Sequence, residues 1–194
     1  MKRKKNFHEI IVVGAGAAGM TAAIFAAKEG ADVLILEHME TAGKKILATG
    51  NGKCNYTNSR QGVENYYGDD PAFVLPVMEQ FSFDDTLSFF DELGIYPKEK
   101  NGYYYPASEQ ASCVREVLLR QLDLLGVNIV YNCGIRSIER QKDAFCFETK
   151  SGYLYSRLCL MATGGCAAKK TGSDGSGFLY PQKMGHRIID VVPA

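Results

Sequence analysis

Four β-branched residues in succession, Ile10-Ile11-Val12-Val13, make the first strongly apolar run of the chain. An unbroken run of this kind suits a central strand of a parallel sheet, covered on both faces. A glycine-punctuated turn follows. The Ala-rich stretch from Ala17 to Glu29, stopped by Gly30, then reads as a helix. A second apolar run, Val33-Leu34-Ile35-Leu36, reads as the next strand and ends at Glu37.

The pattern changes character in the middle of the chain. Residues 71–93 read as two helical segments, with Pro71 at a first helical position and Asp84-Asp85 opening the second. Phe81, Phe83, Phe89, Phe90 and Leu93 read as core rather than as a ligand cage. Asn101-Gly102, between Tyr96-Pro97-Lys98 and Tyr103-Tyr104-Tyr105, signals a hairpin. The three tyrosines read as strand residues alternating between core and solvent, with a place facing a cofactor or substrate cleft as the other reading. A helix is predicted from about Glu109 to Leu125, apolar at 114, 117, 118, 122 and 125 and ended by Gly126. Strands at 127–131, 134–140 and 144–149 follow, the last paired as a hairpin with Tyr153–Leu160. Alternation of strand, helix and strand places the chain in the α/β class.

Composition narrows the function classes. The 194 residues carry 22 Lys+Arg against 22 Asp+Glu, so no net field attracts nucleic acid or an anionic membrane. The six cysteines are scattered without a C-x-x-C, and only three histidines are present, so zinc-ligand spacing is missing and no metal is expected. The cysteines read as reduced thiols of a cytoplasmic protein. The basic run Lys2-Arg3-Lys4-Lys5 ahead of the uncharged stretch Ile10–Ala27 resembles a signal peptide or short membrane span. Much of that stretch is Ala and Gly, which contribute little to insertion, and strand, turn and helix explain it better. The basic tetrad then reads as a solvated tail.

Gly14-Ala15-Gly16-Ala17-Ala18-Gly19 is a G-x-G-x-x-G placed between the first strand and the first helix. Gly14 permits a sharp turn, Gly16 lets backbone approach a diphosphate, and Gly19 lets the helix pack close to the strand. The helix N-terminus offers free N–H groups and a positive dipole end to the phosphates. Glu37, 18 positions past Gly19, can accept hydrogen bonds from both ribose hydroxyls, and its charge would repel a 2′-phosphate. With strand, helix and acid in place, a packing-only turn is the weaker reading. The unit points to an adenine dinucleotide, and by itself leaves FAD and NAD open, since both contain ADP-ribose.

The segment beyond Glu37 departs from a dehydrogenase. Residues 43–58, G-K-K-I-L-A-T-G-N-G-K-C-N-Y-T-N, read as a polar loop rich in Gly and Asn, and the strand Leu158–Ala162 closes into Thr163-Gly164-Gly165. These stretches resemble the BaiN/YhiN-like family of FAD-binding oxidoreductases, also called the aminoacetone oxidase family. Tyr105-Pro106-Ala107-Ser108, Ala162-Thr163-Gly164-Gly165, and Gly185-His186 through Pro193-Ala194 are further matches, so the resemblance runs over the whole chain. It implies a Rossmann-like parallel sheet with a β-meander layer, a three-layer FAD-binding domain, and a small helical and hairpin insertion at about 66–108. It implies that Gly14–Gly19, Glu37 and His38 hold the ADP half of FAD. Lys44, Lys45, Gly50, Asn51, Cys54 and Asn55 then lie along the ribityl and flavin half, Ile135 by the adenine, and Thr163, Gly164 and Gly165 at the closing turn. Lys44 and Lys53 stand where the family often has Arg, keeping the charge without the planar fork. Family members continue into a substrate domain and a returning flavin-contacting segment, so the chain reads as an N-terminal piece.

Other candidate chemistry is thin. Thr171–Gly177 precedes a predicted helix that ends near Gly185, with Ser173 or Asp174 as its cap. This turn either faces the cofactor or is a flexible surface loop. Cys54 has no second cysteine near it in sequence, as a dithiol relay requires, and reads as packing. His8, His38 and His186 read as surface or strand-end residues. No catalytic acid or base is nameable. The leading expectation is a flavoprotein oxidoreductase passing hydride to or from flavin N5 and a small-molecule substrate, with NAD(P)H as a transient reductant because no second G-x-G-x-x-G is present. An NAD-dependent dehydrogenase and a non-catalytic nucleotide-binding fragment are the alternatives.

Overall fold

The computed structural model describes residues 6–68 and 70–191. The basic tetrad at 2–5 and the terminal Pro193-Ala194 lie outside them. In chain order the elements are β1 (Phe7–Val13), α1 (Ala17–Lys28), β2 (Val33–Leu36), α2 (Lys44–Ala48), β3 (Thr57–Asn58), α3 (Leu75–Gln80) and α4 (Phe83–Glu92). Then come β4 (Pro97–Lys100), β5 (Tyr103–Pro106), α5 (Ala111–Leu124), β6 (Asn128–Val130), β7 (Ile135–Arg140), β8 (Phe145–Thr149), β9 (Gly152–Met161) and α6 (Leu179–Lys183). The chain divides into two compact units, residues 1–45 with 119–194, and residues 46–118.

The first unit is built on a six-stranded sheet of order β6-β2-β1-β9-β8-β7. β6, β2, β1 and β9 run parallel, so their carboxyl ends, at Val130, Leu36, Val13 and Met161, lie along one edge. β1 is central because all of Ile11, Val12 and Val13 are buried, as its unbroken apolar run requires. α1 packs on β1 and β2 through Gly19, Met20, Ala23 and Ile24, which recur at helical spacing. On the opposite face, Ile11, Val13, Leu34 and Leu36 share a core with Cys133, Ile138 and Phe147.

β7, β8 and β9 form the expected antiparallel meander. It remains hydrogen-bonded to the parallel sheet, because ten-residue β9 serves both. Its Gly152–Ser156 part pairs with β8, and Tyr155–Met161 pairs with β1. In strand order β8 stands three places from β2, yet Phe147 shares a core with Leu34 and Leu36. The meander thus curls over one face and supplies the third layer of a Rossmann-like α/β fold.

In the second unit a β3-β5-β4 sheet accompanies α3 and α4. The hairpin forms as read: Asn101 and Gly102 take φ of 55° and 85°, the double left-handed turn that matches strand twist. α4 begins at a capping box, in which Ser82 Oγ accepts the Asp85 N–H and Asp85 accepts the Ser82 N–H. Phe89 is buried and Phe90 stacks on Tyr56 at 4.7 Å, but Phe81 is 38% exposed because it falls at the end of α3. α5 starts two residues later than expected, since Glu109 adopts φ 52° and cannot continue a helix.

Candidate functional site

A cleft of about 500 Å³ opens in the first unit outside the carboxyl ends of β1 and β9. The chain leaves β1 to one side for β2 and comes back on the other as β9. Ligands in open α/β sheets bind at such a reversal. The floor is the glycine turn. Gly14 has φ 106°, and a Cβ there would stand 2.5 Å from the Ala162 carbonyl oxygen, so the turn sits directly against the end of β9. A Cβ on Gly19 would collide with the Gly14 carbonyl oxygen, so α1 is seated on the turn itself. Gly16 is different: nothing lies within 4 Å of its would-be Cβ. Space is open over the start of α1, where Gly16 is the N-cap without a side-chain cap and Ala17 and Ala18 are exposed. Their N–H groups have no carbonyl in the helix to bond.

Glu37 ends β2 and is only 6% exposed. Its carboxylate accepts the Ala15 N–H at 2.7 Å and the Met39 N–H at 2.8 Å. His38 Nδ1 lies 3.2 Å from the same carboxylate. Two backbone amides therefore compensate the buried charge before any ligand arrives. Oε2, which takes only the Ala15 N–H, keeps a lone pair for a further donor.

The far wall comes from later in the chain. Thr163 and Gly164 follow β9, and the loop Thr171–Gly177 stands with them on the cleft. Lys45 Nζ donates to the buried Ser173 Oγ at 2.7 Å, beside left-handed Gly164. Gly172 abuts the His38 ring and Gly177 abuts Thr163. Ile135 also lines the cleft, its carbonyl accepting the Tyr180 hydroxyl at 2.9 Å. Burial pushes the Tyr180 and Cys133 groups above their ordinary ranges, so both stand protonated at neutral pH.

Most of the residues expected at the site meet here. Gly14, Ala15, Gly16, Ala17, Ala18, Glu37, His38, Lys44, Lys45, Ile135, Thr163 and Gly164 all line the cleft. Gly19 acts beneath it, and Gly165 does not line it. Of the turn 171–177, Thr171, Gly172, Ser173, Ser176 and Gly177 line the cleft. The expected cap is corrected: α6 has five residues and no side-chain cap, because a 3-10 turn at Ser176–Phe178 precedes it. Asp174 instead accepts the Ser176 N–H and hydroxyl, which hold its carboxyl below the usual range.

Gly50, Asn51, Cys54 and Asn55 belong to the second unit. The expected loop at 43–58 is in part helical, as α2 followed by a 3-10 turn at Thr49–Gly52. Gly50, Asn51 and Cys54 have φ of 55°, 53° and 59°, a run of left-handed residues uncommon outside glycine. Asn55 pins it, its amide donating to the Thr57 and Tyr104 carbonyls. Burial raises the Cys54 thiol above its ordinary value, and all six cysteines are free. Among the described residues no metal-ligating cluster occurs, and no helix is long and apolar enough to cross a membrane.

The signal that sequence reading lacked was the Lys45–Ser173 bond, whose ends lie 128 positions apart. Tyr180, read only as part of a terminal helix, was likewise without a local signature.

Comparison with known proteins follows the same lines. The chain is 41% identical over 189 residues to the 3-dehydro-bile acid delta(4,6)-reductase of Clostridium scindens, covering 96% of this chain and 46% of that protein. It is 29% identical over 188 residues to the ribosomal RNA dihydrouridine synthase of Haemophilus influenzae, covering 95% and 47%. The chain thus spans about half the length of these relatives. Among solved structures, the 3-ketosteroid-delta4-(5alpha)-dehydrogenase from Rhodococcus jostii RHA1 superposes with a TM-score of 0.62 at 16% identity, covering 95% of this chain and 55% of that one. A flavocytochrome c3 fumarate reductase superposes with a TM-score of 0.57 at 18% identity, covering 87% and 35%. At these identities the likeness is one of fold. The profile of the family described as the HI0933-like protein Rossmann domain matches residues 8–192, and the chain belongs to that family.

Proposed function

We propose that this chain forms the FAD-holding part of an oxidoreductase that moves hydride between the flavin and a small organic substrate. The observation that carries the proposal is the open N-terminus of α1, with no atom within 4 Å of a would-be Gly16 Cβ and with Lys45 lining the same cleft. A diphosphate needs such a cradle: unpaired amides on one side, a cation on the other, and no Cβ between. Glu37, already oriented by two amides, keeps a lone pair on Oε2 for a ribose hydroxyl. Gly164 lets the wall approach closely. When bound, FAD supplies a two-electron carrier, and the protein supplies grip, orientation and exclusion of water. Lys44 is tied to Glu40 at 2.8 Å, so Lys45 is the better placed of the two for the phosphates. Gly50, Asn51, Cys54 and Asn55 remain proposed contacts of the flavin half.

The names of two relatives support a reaction class. The name delta(4,6)-reductase denotes hydrogen added to carbon–carbon double bonds, and dihydrouridine is uridine carrying two more hydrogens. We assign this chain to the same class, with a small molecule rather than RNA as substrate, because its net charge is zero. A pyridine nucleotide is the proposed transient reductant, and the six free thiols support a cytoplasmic location.

Purified protein should show the near-ultraviolet and visible bands of flavin, and heat-released nucleotide should chromatograph as FAD. FAD, and not NAD, should raise the melting temperature. Colourless protein that takes up no added FAD overturns the proposal, and protection by NAD alone selects the dehydrogenase. Bleaching of the flavin by NADH or NADPH without air tests the reductant.

A further inference from the structure

The wall of the cleft at Thr171–Gly177 holds three glycines within seven residues, and Gly172 and Gly175 have φ of 94° and 82°. A segment of this composition gives up much backbone freedom when it orders. Most of its bonds are local. The Thr171 hydroxyl donates to the Ala168 carbonyl at 2.8 Å, and Asp174 bonds to Ser176. Local bonds shape the loop without tying it to the glycine turn on the other side of the cleft. The Lys45–Ser173 bond ties it to the start of α2. Ser173 is 5% exposed, its Oγ is 2.7 Å from Lys45 Nζ, and both atoms crowd Gly164.

We propose that Lys45 is a positioning residue that latches the 171–177 loop to the α2 start and so holds the far wall of the cleft in place. On the flavin reading given above, the latch governs how long the dinucleotide stays bound. The ammonium has three N–H donors and commits one to Ser173, so the same group can hold the wall and face an anion. Losing the ammonium leaves the Ser173 hydroxyl buried without its donor, and the loop opens to recover a partner from water.

The experiment is a double-mutant cycle of Lys45→Met, Ser173→Ala and the pair, read by hydrogen exchange of the 171–177 amides in flavin-free protein and by the rate of FAD release. Each single change should speed exchange of these amides about tenfold, leave the α1 amides unchanged, and hasten FAD release. The pair should be no worse than either single change, and Lys45→Arg should restore part of the protection. Faster FAD release with unchanged exchange at 171–177 overturns the latch, because Lys45 then acts on the cofactor alone. Additive effects of the two substitutions overturn it as well. A protein that binds no FAD sinks the flavin reading, while the exchange data still decide the latch.

Discussion

The Glu37 carboxylate accepts the Ala15 N–H at 2.7 Å inside the protein. Its other oxygen takes the Met39 N–H, so one side chain joins the glycine turn to the chain leaving β2. Glu37→Ala leaves the buried Ala15 N–H and the half-buried Met39 N–H without their acceptor, at about 1–3 kcal/mol each. The expected loss of unfolding free energy is about 2–6 kcal/mol. Glu37→Gln should lose less, because its amide oxygen still serves one N–H. Urea denaturation of the three proteins checks this, and equal stability would refute it.

The three glycines of the turn should respond differently to alanine. A Cβ at Gly19 meets the Gly14 carbonyl oxygen, and one at Gly14 meets the Ala162 carbonyl oxygen in a left-handed conformation. Both substitutions should unfold the protein or cost several kcal/mol. Gly16→Ala meets open space and should change stability by less than about 1 kcal/mol. It places a methyl where the phosphates are proposed to lie, so FAD affinity should fall at least about tenfold, a difference of about 1.4 kcal/mol. Paired denaturation and FAD titration separate the two effects.

The first βαβ unit was legible because each of its signals is local. Ile10–Val13 is apolar without a break, the glycines are next to one another, and Glu37 follows β2 directly. The meander was legible for the same reason, as alternating strands at short intervals. What Glu37 bonds to was not legible, since a backbone N–H carries no mark in the sequence. Lys44–Ala48 looked like loop because its flanking glycines hid a five-residue helix. Lys45 and Ser173 meet only through the third dimension, and no periodicity joins positions 128 apart. Phe81 has the right composition for a core residue and the wrong place, at a helix end.

Acid should expose one device of the second unit. Glu109 receives Lys53 Nζ at 2.8 Å and Lys98 Nζ at 2.6 Å, and these hydrogen bonds hold its carboxyl down at about 2 from an ordinary 4.5. A carboxyl lowered by folding stabilises the native state in full above 4.5 and loses that contribution as pH falls through about 2. Glu109→Gln should therefore lower the urea midpoint at pH 6 and matter less and less toward pH 2.5. The gap should also shrink in 1 M salt, because the pairs face solvent. A gap independent of pH would rule out the ion pairs as its source.

Thiol chemistry should follow burial. Burial pushes Cys159 up to about 11 and raises Cys54 and Cys133 as well, whereas Cys166 is exposed. An aromatic disulfide reagent at pH 8 should find one fast thiol, abolished by Cys166→Ser, ahead of slower phases from the half-buried Cys113 and Cys159 and the buried Cys54, Cys133 and Cys146. A fast phase that survives Cys166→Ser would refute this order.

The double pairing of β9 has a consequence for synthesis. β1 gains its neighbour β2 within the first few dozen residues, but its other edge finds no partner until residues 155–161 emerge. At about 5–20 residues per second, the most water-averse strand of a nascent chain waits on the order of ten seconds with one side unzipped. The cleft straddles that seam, so its two walls meet only after residues 155–164 have been made.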